Sequence, residues 1–402
     1  MEDEMMNENN SFSGLKVLDI SQGVAGPYCA NMLWQYGAEV IKIEPPAGDW
    51  GRHVGTTVSG QSALSISYNV GKQSVCIDAK QEAGRQAIRK MAAECDVFVQ
   101  NFRPGIVEKL GLGYEDLKIT NPGIIYISIS GYGPSGPYAF APATDSVMQA
   151  ETGIMSANYD QEGNPQKIGI LMVDVLSGMF ATQQALAAIY RRQCSAVKQG
   201  EHIQLNLFDA CAAFQQSNLI EHTLNPVKIK TAVSAPNGVF DTQNGKLNVL
   251  ALNNDQFERL CKALSRQDWL EDTRFVNNTE RMKHRAVLHG ELAGILAART
   301  NEEWQDVFRQ YEVLHAPVRN YDQVMQHPQA VFNQTVDYFE QSPGLSLPYV
   351  FIPGLSQKPI LNKAPDIGEH TIDVLQKFNF SQEQIDALIA SQVIRQIKKE
   401  EI

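Results

Sequence analysis

The feature that most constrains this chain is a repeated change of period over its first 220 residues. Short apolar runs alternate with segments of helical spacing. Leu15–Ile20 is an apolar run that ends at a glycine-containing turn, and Pro27–Tyr36 has helical character until Gly37 stops it. Ala38–Ile43 and Ser74–Ile77 read as further strands, and Glu82–Ala93 as a helix with Ile88 and Met91 on one face. Asp96–Val99 and Ile124–Ile129 are short and rich in β-branched residues. Strands separated by helices imply a parallel sheet with crossover connections. In such sheets ligands bind beyond the carboxyl ends of the strands.

From about Val227 the texture changes. Val239–Asp241 and Leu247–Leu252 flank Gln243-Asn244-Gly245, a hairpin signal. Asn253, Asn254 and Asp255 cap a predicted helix through Leu264, and further helices are expected at Glu280–Ala298 and Glu302–Gln310. After Tyr321 come short strands, proline-containing turns and a closing helix pair, Ile372–Phe378 and Gln382–Ser391. The reading is α/β. A large Rossmann-like domain (residues 1–226 and 327–402) is completed by a return segment around a smaller α+β domain (227–326).

Composition narrows the functional classes. Of the 402 residues 43% are hydrophobic and 20% charged, an ordinary globular balance, and the net charge of −11 is no footprint for nucleic acid. No stretch offers the roughly 18 uninterrupted apolar residues of a membrane span. Met1–Ser13 is acidic and asparagine-rich, reading as a short disordered tail without the features of a secretory signal. The six cysteines are scattered, which predicts reduced thiols and a cytoplasmic location. The eight histidines have no close ligand spacing, so no metal is expected.

Three segments carry candidate chemistry. Gly23-Val24-Ala25-Gly26-Pro27 follows the first strand, and a glycine turn entering a helix can hold an anion or simply make a tight turn. Asn101-Phe102-Arg103-Pro104-Gly105 follows the Asp96–Val99 strand, where the Arg103 fork could meet a phosphate or solvent. Asp174 is the single carboxylate in Ile170–Phe180. It fits the N-cap of a helix reaching about Tyr190, or a nucleophile or base in a dry pocket. The lysines 72, 80 and 109 are individually uninformative.

The order of motifs resembles the class III CoA-transferase (CaiB/BaiF) family from about Gly14 to Ile394. The matching segments are GLKVLDISQGVAGP, GAEVIKIEPP, NFRPGIVEKLGLGYEDL, ISGYGPSGPY, MVDVLSGMFA and IGEHTIDVLQKFNFSQEQI. The resemblance implies an enzyme that exchanges CoA between an acyl-CoA and a carboxylic acid, with no permanently bound cofactor. It implies Asp174 as the nucleophile, passing through an aspartyl anhydride and an aspartyl-CoA thioester. Asp145 becomes a helper, with the N-cap of a Ser146–Gly153 helix as its alternative role. Amides near Val24 and Gly131–Gly133 are candidate oxyanion donors.

For CoA the resemblance implies Gly23 and Val24 near the thioester, Ile77 and Lys80 at the adenosine end, and Asn101, Phe102 and Arg103 in the loop after the third strand. Lys109 falls near the phosphates. The chain departs from the family at Glu44-Pro45-Pro46, where many members follow the acid with Arg. Lys42 or Arg52 is then the candidate replacement, and Lys72 completes the candidate CoA set. The glycine-rich lid of some members is replaced by Ala235–Phe240. The rival reaction in the family, 2-methylacyl-CoA racemisation, needs two opposed acid/base groups. Racemases carry His before the Asp145 position, and this chain has Thr144. A non-catalytic CoA-binding protein is the remaining alternative. The resemblance also implies an interlocked homodimer.

Overall fold

A computed structural model describes residues 10–160, 163–224 and 233–395. Met1–Asn9 of the expected tail therefore lie outside the described residues. Asn10–Ser13 do not form a disordered tail: the Phe12 ring packs edge-on against Tyr36, with centroids 5.7 Å apart.

The chain divides into two compact units. One comprises Met1–Ile220 with Thr335–Ile402, the other Glu221–Gln334. The large unit is built on a seven-stranded sheet. Its strands are β1 (Lys16–Asp19), β2 (Glu39–Glu44), β3 (Gln73–Ile77), β4 (Val97–Gln100), β5 (Ile125–Ser130), β6 (Glu201–Asn206) and β12 (Ile394–Arg395). Their spatial order is β12-β3-β2-β1-β4-β5-β6. All neighbours are parallel except β12, which pairs antiparallel with β3.

Strand alternation sorts the side chains into two cores. Val17, Val40 and Val97 face α1 (Ala25–Gln35) and α4 (Met172–Cys194). Leu18, Ile41 and Phe98 face α2 (Glu82–Ala92) and two helices of the return segment, α9 (Thr371–Lys377) and α10 (Gln382–Ala390). By length and composition alone α4 could cross a membrane. Here Val173, Ala181, Ala185 and Ala188 are buried in the first core. The return segment is fastened to α1 by Tyr349, whose hydroxyl donates to Asn31 Oδ1 at 2.9 Å and accepts from Gln35 Nε2 at 3.1 Å.

The small unit holds a three-stranded antiparallel sheet of β7 (Asn237–Asp241), β8 (Lys246–Leu250) and β9 (Leu314–Pro317). The Asn244-Gly245 turn joins β7 and β8 as its sequence demands, with Thr242 N–H on Gly245 O at 2.9 Å. The helix expected over Glu280–Ala298 is instead two, Asn278–Lys283 and Arg285–Leu296. The break at His284 lets Leu288, Leu292 and Leu296 face the core while Arg281 is buried on the preceding turn.

One stretch of sheet is not apolar. Asp19, Lys42, Glu44 and Lys72 are buried at the carboxyl ends of β1–β2 and just before β3. Lys72 Nζ meets Asp19 Oδ2 at 2.9 Å, and Lys42 Nζ meets Asp49 Oδ2 at 3.0 Å. Arg52 forms a two-bonded pair with Glu44, both bonds 2.7 Å. Burial alone would raise the Asp19 pKa, but Lys42 and Lys72 more than reverse this and hold it below the usual carboxylate range. Removing one member of such a buried set strands the others. Asp19→Ala is expected to lower unfolding stability by about 3–5 kcal/mol in urea titration; a loss below about 1 kcal/mol would contradict this role.

Candidate active site

The site begins at the N-terminus of α4. Its N-cap position is Leu171, whose apolar side chain cannot accept a hydrogen bond. Asp145, brought in from another helix, caps α4 instead. Its Oδ2 accepts from Val173 N–H at 2.7 Å and Asp174 N–H at 3.1 Å. This corrects two expectations: Asp174 is the third residue of α4, and Thr144, not Asp145, caps the helix α3 (Asp145–Glu151). Thr144 Oγ1 accepts from Val147 N–H. A sequence cannot show a cap that comes from another helix.

Gln149 fixes Asp145 in place. It is buried and donates to Asp145 Oδ1 at 2.7 Å, and its carbonyl accepts from Ile168 N–H at 2.8 Å. Gly131 lets the segment approach, because a Cβ there would lie 2.2 Å from Ala143 Cβ. One turn beyond Asp174, Gly178 lies against α1, where an added Cβ would be 2.8 Å from Ala25 O. That close crossing sets the half-buried Asp174 beside the start of α1.

Asp174 opens on a cavity of about 340 Å³. Val24, Ala25, Asn101, Phe102 and Arg103 line it together with Gln22, Trp50, Ile129, Ser130, Gly131, Ala143, Thr144 and Leu207. Burial, and then the neighbouring Asp145 charge, push the Asp174 pKa up to about 7. A carboxylate poised near neutrality in a partly dry cavity suits covalent or acid/base work.

The turn entering α1 is clamped from two sides. Asn101 Oδ1 accepts from Gln22 N–H at 2.8 Å, and its Nδ2 donates to Gln22 O at 2.6 Å. Asp49 accepts from Gly23 N–H at 2.9 and 3.1 Å. The Gly23 amide is thereby occupied, as is that of Gly133, which donates to Ser130 Oγ at 3.1 Å. Val24, by contrast, begins α1 with no side-chain cap. Asn101 thus has its whole amide engaged in shaping the turn, whereas Phe102 and Arg103 border the cavity directly.

The remaining candidates separate by exposure. Lys42 and Lys72 are not surface cations; both lie in the buried charged set, as does Arg52, and each is paired with a carboxylate, which speaks against all three as phosphate contacts. Ile77 is a core residue. Lys80, just beyond β3, is exposed, and so are Arg103 and Lys109 after β4. Among the described residues these three cations form no ion pair. The sequence reading overlooked Trp50, which is flagged only by its place after the carboxyl end of β2.

Fold and site together define an α/β enzyme with a carboxylate set in a cavity at the carboxyl edge of its parallel sheet. Comparison supplies the family: residues 12–371 match CoA-transferase family III, and the chain belongs to it. It is 31% identical to the human succinyl-CoA:glutarate CoA-transferase over 97% of this chain and 91% of that protein. It is 34% identical to an acetyl-CoA:oxalate CoA-transferase of Acetobacter aceti, covering 79% of this chain and 83% of that one. The crystal structure of a CAIB/BAIF family protein from Brucella suis superposes with a TM-score of 0.82 at 28% identity, over 91% of this chain and 98% of that one. The protein is a family III CoA-transferase.

The raised Asp174 pKa has a consequence for stability. Below about pH 4 the group is protonated whether the chain is folded or unfolded; between there and about 7 only the folded state keeps the proton. Its contribution to stability is therefore lost as pH rises through that window. Asp174→Asn, which does not titrate, should be more stable than the parent at pH 8, on the order of 2–4 kcal/mol, with the gain shrinking toward pH 4. Denaturant midpoints across this range measure it, and a pH-independent difference would contradict the assignment.

Proposed function

We propose that this CoA-transferase works through Asp174 as a covalent carrier of CoA. The observation that carries the reading is the Asp174 carboxylate, held at the N-terminus of α4 by Asp145 and open to the cavity at the sheet edge. A carboxylate oxygen of Asp174 attacks the thioester carbonyl of the acyl-CoA. The C–S bond breaks, leaving an acyl-aspartyl anhydride and the CoA thiolate. The thiolate then attacks the aspartyl carbonyl, releasing the donor acid and forming the aspartyl-CoA thioester. The acceptor carboxylate repeats the two steps in reverse, and Asp174 returns as a free carboxylate. The activation of the thioester is stored in the anhydride throughout, so no further energy source is required.

Negative charge develops on the carbonyl oxygen in each attack. The uncapped first turn of α1, at Val24 and Ala25, is the best-placed set of amide donors for it. Arg103, Lys80 and Lys109 are the exposed cations suited to the CoA phosphates, with Phe102 bordering the thioester end. Asp145 acts as a positioning residue. The names of the relatives support short acids, such as succinate, glutarate, acetate and oxalate, as first substrates to test.

We further infer an interlocked homodimer in the cytoplasm. Kinship with the family supports the dimer, and six unpaired cysteines support a reducing compartment. In sedimentation, dilution should yield no active monomer; a fully active monomer would overturn this part of the reading.

Two tests address the mechanism. With succinyl-CoA and hydroxylamine, peptide mass mapping should place a hydroxamate, about 15 Da heavier than the acid, on Asp174. No such adduct should form in Asp174→Ala, and an adduct-free wild type across several donors would refute the nucleophile. The rate of the donor half-reaction should rise through about pH 7 as Asp174 ionises. Asp145→Asn removes the neighbouring charge, so its midpoint should move to lower pH while the maximal rate falls about 10-fold or more; an unmoved midpoint would contradict the coupling.

A further inference from the structure

The chain has four tryptophans. Trp34, Trp269 and Trp304 are 7%, 1% and 3% exposed, whereas Trp50 is 52% exposed and lines the Asp174 cavity. A large aromatic ring left in the open, with its polar edge free, is common where a ligand later covers it. The segment that carries it is rigidly held. Asp49 accepts from Gly51 N–H at 2.8 Å and caps the short helical turn Trp50–His53. Asp49 N–H in turn donates to Glu44 Oε1 at 3.1 Å, and Ser62 Oγ donates to Gly51 O at 2.6 Å.

The ring itself rests on the α1 turn. Gly23 has φ +77°, and a Cβ there would come within 2.1 Å of Trp50 Cζ2, so the indole lies directly on the glycine backbone. The same Gly23 N–H is tied to Asp49, the residue before Trp50. Turn and ring therefore form one unit. Apolar Ile129 and Leu207 also line the cavity. At about 340 Å³ the space lies at the low end of small-molecule sites, roughly 300–1,000 Å³, and it must receive both a thioester and an acyl group.

We propose that Trp50 is the specificity-determining wall of this cavity, admitting short unbranched acyl groups beside Asp174 and excluding branched and aromatic ones. The proposal rests on the reading of Asp174 as the acyl-accepting nucleophile. With the indole against Gly23, a bulkier acyl group on that side of the cavity meets the ring. Replacing the indole by a methyl group opens space on the cavity side without touching the core, since Trp50 contributes little to either hydrophobic cluster of the large unit.

The test uses the full-length protein and reads the rate of Asp174 hydroxamate formation from acetyl-, butyryl-, succinyl-, pivaloyl- and phenylacetyl-CoA. The wild type should favour the straight-chain donors. In Trp50→Ala the ratio of pivaloyl or phenylacetyl to butyryl labelling should rise about 10-fold or more, a range typical of pocket discrimination. Trp50→Phe should fall between the two. Labelling of Asp174 in Trp50→Ala with the wild-type donor ratios would overturn the proposal. Absence of label from Asp174 in the wild type with every donor would instead refute the nucleophile reading, and the wall with it.

Discussion

The site depends on one interaction, the Asp145 carboxylate on the backbone amides of Val173 and Asp174. It does for α4 what an N-cap side chain normally does, yet it comes from a different helix. The same contact has two further effects. It fixes the direction in which α4 begins, and hence where Asp174 points. It also sets a second negative charge beside Asp174, which with burial keeps that carboxyl near neutrality. Capping and tuning thus come from a single side chain, itself held by Gln149.

Around this contact the fold supplies a rigid floor. Buried charges are costly unless each is matched, and here Asp19, Lys42, Asp49 and Lys72 match one another beneath the turn that enters α1. Asp49 reaches from that set to the Gly23 amide, and Asn101 holds the neighbouring peptide of Gln22. The turn that enters α1, on the wall of the Asp174 cavity, is thereby held by side chains on both sides. Preorganised donors of this kind stabilise developing charge without having to reorient. Several polar residues near the site accordingly serve the backbone, whereas Arg103, Lys80 and Lys109 are exposed and, among the described residues, form no ion pair.

Much of this architecture could be read from the residues. Five of the six parallel strands were marked by short apolar runs, whereas Glu201–Asn206, with only Ile203 and Leu205 apolar, carried no such mark; the Asn244-Gly245 hairpin was marked by its turn chemistry. Asp174 stood out as one acid in an apolar run, and Phe102 and Arg103 by their place after a strand. What could not be read was which polar residues face inward. Lys42 lies between Ile41 and Ile43 on its strand, and only its partners Asp19, on the neighbouring strand, and Asp49, beyond the strand's end, show that it is buried rather than exposed. The role of Asp145 was hidden for the same reason: its partner amides lie 28 and 29 residues away. The departures from expected helices were local, as at His284, where side-chain burial outweighed a continuous helical pattern.

If Asp174 becomes covalently bonded to the groups it transfers, oxygen atoms of the acceptor must pass into its carboxylate, and isotope labelling reads this. In the scheme above, an acceptor acid labelled with oxygen-18 in its carboxylate gives one labelled oxygen to Asp174 each time its anhydride is opened by CoA. After turnover with a CoA donor, the peptide containing Asp174 should gain about 2 Da, and about 4 Da as both oxygens exchange. Formation of labelled acyl-CoA with no isotope in that peptide would contradict the account, because CoA would then have moved without the acceptor oxygen ever bonding to Asp174.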